Sequence, residues 1–210
     1  NSELSLHIRF AYKERFVSGK VDRISLGSSF PILNLLYSRG IKDLINSHFA
    51  YDKLLLRVED YFYLGNFGLF SIRAEAGKIF QSLPYPLLFI HPGNNSFVYD
   101  RTAFNLMNYY EFVSDQYLSV KAEQHFGGIF LDRIPALRKL KWREIATFSA
   151  VSGRLSNKNR ALLANPAVFS DLSNKPYVEA GVGIENIFKI LRIDNIWRFS
   201  YLDHPEIAKV

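Results

Sequence analysis

The sequence predicts an all-β fold: an antiparallel up-and-down transmembrane β-barrel, present in part, with about nine strands of a larger barrel. Three observations carry that expectation. Apolar and polar residues alternate singly through most of the chain, the period of a strand with one dry and one wet face. The alternating runs extend over about 10 residues or more, beyond the ~5–6 usual for soluble sheets and near the ~9–11 that cross a bilayer obliquely. Strand formers are abundant, with 18 Phe and 12 Tyr among 210 residues and a single Met.

Glu3 to Lys13 is the clearest run, with Leu4, Leu6, Ile8, Phe10 and Tyr12 on one face and Glu3, Ser5, His7, Arg9 and Lys13 on the other. Gly19 to Tyr37 is interrupted by Gly27 and Pro31, which predicts a bulge or a break, because proline cannot donate to a ladder. Tyr37 to Ser47 reads as a connector. Phe49 to Tyr63 and Phe67 to Phe80 form a hairpin about Leu64-Gly65-Asn66. Gln81 to Thr102 contains Pro84, Pro86, Pro92 and Gly93, so it is a long irregular connection. Ala103 to Val113 and Gln116 to Phe126 are expected to pair as the next hairpin, about Ser114-Asp115-Gln116. Ile129 to Lys141 is the one helical candidate, and Pro135 interrupts it. Trp142 to Leu155 is a strand and Ser156 to Lys175 a polar loop. Strands over Tyr177 to Asn186 and Asn195 to Leu202 complete the pattern, the last with Trp197, Phe199 and Tyr201 on one face.

Composition narrows the function classes. Cys is absent, which removes disulfides, thiolate metal sites and cysteine nucleophiles. No run of ~18 apolar residues exists, so no transmembrane helix is expected. A mean hydropathy of −0.04 fits strands that average a lipid face with a lumen face. The net charge of +6 is spread among 26 basic and 20 acidic residues, whereas a nucleic-acid binder gathers positive charge on one stripe; no nucleic-acid partner is expected. The chain opens at Asn1 rather than Met, ends after the turn Asp203-His204-Pro205, and has an odd strand count. It therefore reads as a piece of a longer protein.

No phosphate-binding loop, HExxH pair, nucleophile elbow or dinucleotide fingerprint is present, and no cofactor is expected. Glu123 and His125 share a face at i, i+2 spacing, which could serve metal binding or acid–base work; lumen lining is the plainer account, since no third ligand is evident. His7 and Glu179 also point to polar faces, and with them make a candidate lumen cluster. The connector residues Arg133, Arg138, Lys139, Lys141 and Arg143 form a basic stretch suited to lipid phosphates or an acidic partner. The competing account is a solvated turn whose Ile134, Leu137 and Leu140 pack under a barrel rim. Trp142, Trp197 and Tyr201 are candidates for an interfacial aromatic girdle. Asn94-Asn95-Ser96 matches a glycosylation acceptor, although a Gly-Asn turn beside Pro92 explains it more simply.

Four segments carry a family resemblance: Ser38 to Leu54, Gly77 to Asn94, Ala103 to Glu144 and Pro176 to Asp194. They resemble a family of Gram-negative outer-membrane β-barrels of unknown function whose members carry an N-terminal carboxypeptidase-regulatory-like domain. The resemblance implies that residues 1–210 are the C-terminal portion of the barrel domain, that an upstream periplasmic domain lies outside this chain, and that the partners are the outer-membrane bilayer and a periplasmic or outer-membrane protein. It implies no peptidase activity, because regulatory-like domains of this type lack catalytic residues. In that orientation Gln81 to Thr102, Ile129 to Lys141 and Ile187 to Asp194 fall on the periplasmic side. Ser156 to Lys175 and the turns at Gly65 and Asp115 fall on the other. The expected role lies in envelope biogenesis, transport or as a structural platform, without catalysis. Two other readings stand beside it: a soluble β-barrel that binds an apolar ligand, with its apolar faces turned inward, and a barrel enzyme using lumen Glu and His.

Overall fold

The computed structural model describes residues 1–163, 170–172 and 174–204. In chain order its strands are β1 (Glu3–Ala11), β2 (Arg15–Ser18), β3 (Arg23–Gly27), β4 (Ile32–Gly40), β5 (Tyr51–Tyr63), β6 (Leu69–Ile79), β7 (Phe89–Ile90), β8 (Val113–Ser114), β9 (Gln116–His125), β10 (Arg143–Arg154), β11 (Tyr177–Ile187) and β12 (Leu191–Arg198). The helices are short, α1 (Pro135–Leu140) and α2 (Asn157–Arg160). Eight strands form one antiparallel sheet in the order β1-β4-β5-β6-β9-β10-β11-β12, with β1 and β12 at its edges, so the sheet is open. The pairs β2–β3 and β7–β8 stand apart from it. The fold is all-β, and the main sheet is an up-and-down meander.

Several expectations need correction. Ala103–Val113 is not a strand, and β9 pairs with β6 rather than with it. Its apolar residues fall in adjacent pairs instead of alternating, and Ala103, Phe104, Met107, Phe112 and Val113 are all buried. A ladder would expose every second one. Among the described residues the long strands therefore number eight, not nine. Losing that strand also moves each later loop to the end opposite to the one expected relative to the Gly65 turn. Residues 80–115 leave and rejoin the sheet at the end that carries 41–50 and the described residues of 155–176. The β2–β3 hairpin, the 64–68 turn, the 126–142 connector and the 188–190 turn occupy the other. Pro135 starts α1 rather than interrupting it, since at the first helical position its missing N–H is an orphan in any case. Residues 191–194, expected in a connector, belong to β12. Beyond Arg198 the strand ends, and Tyr201, with a positive φ of 55°, turns inward to 6% exposure, so it joins no girdle. Part of the 156–175 loop, and Pro205, lie outside the described residues.

The register sorts side chains onto two faces. Opposed residues share a face. The row Phe10–Leu33–Val58–Ala74–Val120–Ala150–Val178 therefore runs apolar from β1 to β11. Leu4, Leu6 and Ile8 on this face are 68%, 58% and 50% exposed, as are Leu118, Phe148, Val182 and Ile193 at comparable levels. The apolar positions are thus not gathered into a closed core, as a soluble ligand-binding barrel requires. The opposite face carries Ser71, Ser119, Glu123, Thr147, Ser149, Glu179 and Arg198, all buried.

What buries them is the segment 80–115, which folds across the sheet. Its Leu83, Leu88 and Val113 pack with Tyr51, Ile79, Leu155 and Leu163. Its Phe104, Met107 and Phe112 pack with Val151, Leu172, Tyr177 and Tyr201. Glycines on the sheet make room for it: a Cβ on Gly153 would stand 2.3 Å from the Ser114 hydroxyl. Phe112 is fully buried, with its ring 4.8 Å from that of Tyr201. Phe112→Ala should remove on the order of 3 kcal/mol of packing. Hydrogen exchange of the neighbouring Val113 and Ser114 amides should then quicken by about 100-fold; unchanged exchange would show that this cluster does not hold the segment.

Candidate functional site

Two polar centres join the covered face to the segment above it. The first surrounds Glu123, which the two-residue period of β9 places on that face beside Lys121 and His125. The Tyr99 hydroxyl donates to Glu123 Oε1 at 2.6 Å and Arg101 Nε lies 2.8 Å from Oε2. Arg192 Nη2 stands 3.5 Å from Oε1, and His125 Nε2 is 3.8 Å from Oε2. His125 Nδ1 meets Glu185 Oε1 at 3.0 Å, and Arg192 forks onto Asp194 at 2.7 and 2.8 Å while lying 4.1 Å over the Tyr99 ring. A cavity of about 210 Å3 beside Glu123 is lined by Ser71, Arg73, Tyr99, Arg101 and Lys121 among others.

The Arg192–Glu123 contact crosses the sheet. Glu123 is on β9 and Arg192 on β12, three steps along the sheet order. With ~4.8 Å between strands their backbones stand at least ~14 Å apart. Two long side chains bridge that separation over the covered face and meet at 3.5 Å.

The second centre fastens the backbone of the segment. Glu179 takes the amide of Asn105 at 2.8 Å and that of Leu106 at 3.0 Å, and the Tyr177 hydroxyl at 3.0 Å. Arg198 donates to the Leu106 carbonyl at 3.2 Å and pairs with Glu111 at 2.5 Å, and His204 Nδ1 reaches the same Glu111 oxygen at 2.8 Å. Nearby, Asp115 Oδ2 accepts from the Ser156 amide at 2.8 Å and from Asn159 Nδ2 at 2.6 Å, and Asn159 returns its Oδ1 to the Leu83 amide at 2.7 Å.

The residues singled out from sequence divide accordingly. Glu123 and His125 come together; Glu179 shares their face but belongs to the second centre. His7 is exposed on β1, four strands from β9 along the sheet, and joins neither. Arg143 is drawn back onto Asp132 at 3.0 Å. Arg133, Arg138, Lys139 and Lys141 are exposed. Ile134 and Leu140 are about half exposed, so they do not pack under the sheet rim. Glu144 Oε1 anchors this connector by accepting the Phe130 amide at 3.0 Å and the Leu131 amide. Asn94 Oδ1 accepts from the Ser96 amide at 2.9 Å, so the Asn-Asn-Ser stretch forms a side-chain-closed turn. Tyr99, Arg101, Glu111, Arg192 and Arg198 were missed. Arg192 and Arg198 carry a signal, since they alternate with Ile193 and Trp197; Tyr99 and Arg101 sit in irregular chain and carry none.

Chemically the first centre is an ion cluster. Each oxygen of Glu123 has one close donor, Tyr99 at Oε1 and Arg101 at Oε2, which ties the carboxylate to the covering segment. Among the described residues no group of three or more His, Asp or Glu side chains is placed to hold a metal ion.

An all-β protein with one open antiparallel meander, a bare apolar face and a charged face under its own connector is the class these features define. Residues 1–160 match the C-terminal domain of a family of unknown function (DUF5686), and the chain belongs to that family. Comparison with curated proteins and with solved structures finds no match.

His91 gives the covering segment a pH dependence. It is 3% exposed, its Nε2 lies 3.0 Å from Ser114 Oγ, and its ring stands edge-on to Tyr117. Burial pushes its imidazole down from 6.5 to about 4, and the Lys121 ammonium adds in the same direction. The neutral ring is the form the fold accepts. Its contribution, about 3 kcal/mol at most, is complete above pH 6.5 and is lost as pH falls through 4. Protease resistance of residues 94–110 should fall over that window, and His91→Asn should flatten the profile. An equal pH response in the variant would remove His91 as the cause. Separately, Glu123→Gln weakens the hold on Arg101 and Arg192, and should raise exchange at the Tyr99 to Thr102 amides by roughly 10-fold while sparing Asn105 and Leu106.

Proposed function

We propose that this chain forms part of the wall of a transmembrane β-barrel in the outer membrane, with residues 80–115 filling its lumen, and that the protein serves envelope biogenesis, transport or as a structural platform rather than catalysis. The observation that carries this reading is the inversion of the sheet. Leu, Phe, Val and Ile of seven of the eight strands lie bare on one face, while Glu123, Glu179 and Arg198 are buried on the other. Burying one such apolar side chain is worth about 1.5–3 kcal/mol, and patches beyond a few hundred Å2 mark a partner or a membrane. A hydrocarbon solvent removes the cost of the bare face and leaves the charged face as lumen.

Two further features support the reading. The main strands run from 8 to 13 residues, and ~9–11 suffice to cross a bilayer. Exposed aromatics flank the bare face at both ends, Phe62, Tyr63 and Phe67 at one and Phe49, Phe80 and Phe199 at the other, as interfacial girdles do. The resemblance to Gram-negative barrels supports the outer-membrane location. On that reading a carboxypeptidase-regulatory-like domain precedes the barrel in the periplasm. The full-length protein should then require detergent or lipid to stay monodisperse, and should migrate faster on a gel when unheated than when boiled. A monodisperse, heat-insensitive protein in plain buffer would overturn the reading.

A further inference from the structure

The two ends of the sheet differ in charge. The segments at one end (12–31, 64–68, 126–142 and 188–190) hold nine lysines and arginines against three acids. The loops at the opposite end (41–50 and the described residues of 155–176) hold four against two, and the segment 80–115, which crosses the covered face with Arg101 against Glu123, holds one against three. At the basic end two of the three acids are already engaged with strand residues. Glu14 takes Arg9 of β1 through bonds of 2.7 and 2.6 Å, and Asp132 takes Arg143 of β10 at 3.0 Å. The loop cations are left to face outward. Arg133, Arg138, Lys139 and Lys141 are exposed, and among the described residues none of the four pairs with a carboxylate.

Apolar side chains are interleaved with these cations. Phe130, Ile134 and Leu140 stand about half exposed on the same connector, and Phe188 and Ile190 are more exposed still in the neighbouring turn. Glu144 pins the connector through the Phe130 and Leu131 amides, directly where β10 begins. The surface therefore offers a fixed row of cations with apolar residues between them, at the rim where the bare face ends. A soluble acidic protein would complement the charge alone. The polar boundary of an anionic bilayer complements both, because phosphates and acyl chains meet there within a few ångströms.

We propose that this end of the sheet docks anionic lipid headgroups, with Arg133, Arg138, Lys139 and Lys141 holding lipid phosphates and Phe130, Ile134 and Leu140 entering the acyl boundary. The proposal rests on the membrane reading above and adds the lipid class and the end of the sheet that selects it. Arginine and lysine suit the task differently, Arg133 and Arg138 as forks onto two phosphate oxygens and the lysines as mobile point charges.

The two tryptophans allow the proposal and the membrane reading to be tested separately. Trp142 adjoins Lys141, while Trp197 lies on the bare face, opposite Ala180. The full-length protein is reconstituted in phosphatidylcholine bilayers with a minor share of phosphatidylglycerol, and bromine is carried on the acyl chains of one lipid or the other. The Trp142 signal is the difference between the protein and its Trp142→Phe variant; the Trp197 signal comes likewise from Trp197→Phe. At equal mole fraction, brominated phosphatidylglycerol should quench Trp142 at least twofold more than brominated phosphatidylcholine. That preference should vanish in high salt and in the R133Q/R138Q/K139Q/K141Q protein, while Trp197 is quenched alike by both lipids throughout. The salt arm decides the matter even if the quadruple variant misfolds. Equal quenching of Trp142 by the two lipids, with Trp197 still quenched, would overturn headgroup docking and leave an acidic protein as the occupant. Absence of Trp197 quenching by either lipid would instead overturn the membrane reading.

Discussion

The structure depends on keeping buried charges paired on one side of a sheet. A carboxylate or guanidinium withdrawn from water is costly unless its hydrogen-bonding capacity is met. Glu179 and Arg198 meet it with backbone groups of residues 105 and 106, and Glu123 meets it with Tyr99 and Arg101. All these partners lie in the segment 80–115. The segment and the sheet thus complete each other: without it the charges lose their partners, and without them its irregular backbone loses the acceptors and donors that fix it. This mutual requirement explains why a 36-residue stretch with little regular structure lies in one place across the strands.

The other side of the sheet follows from the first. With buried charge committed to the covered face, the alternation turns Leu, Ile, Val, Phe and Ala of the strand centres to the other face, with Asp60, Lys78, Arg154 and Trp197 nearer the strand ends. Nothing in the described chain packs onto them. On the membrane reading proposed above, an apolar solvent covers that face, and the charge difference between the ends of the sheet would give it a direction within that solvent.

Most of the wall was legible because period two survives in every strand that has one face in each environment. Leu4 to Tyr12 and Val178 to Ile184 could be placed on faces from their spacing alone. The covering segment was not legible, and the reason is physical. Ala103, Phe104, Met107, Phe112 and Val113 are buried by tertiary packing from several directions, so the apolar residues of this stretch obey no single period and resemble a degraded strand. Counting it as a strand displaced each later loop to the wrong end. Within the polar centres, Glu123, His125 and Glu179 announced themselves by parity. Tyr99, Arg101 and Glu111 are set by the path of irregular chain, which no local pattern encodes. Tyr201 misled for the same reason, since its parity held only as far as β12 did.

The central claim is that the two faces of one strand meet two different media. Nitroxide labels placed singly from residue 118 to residue 123 of β9, in the full-length protein held in bilayers, would measure this directly through collisions with oxygen and with a water-soluble nickel complex. Positions 118, 120 and 122 should be reached by oxygen far more than by nickel, and positions 119, 121 and 123 by neither. Nickel exceeding oxygen at Leu118, Val120 and Ala122 would place water on the apolar face and contradict the account.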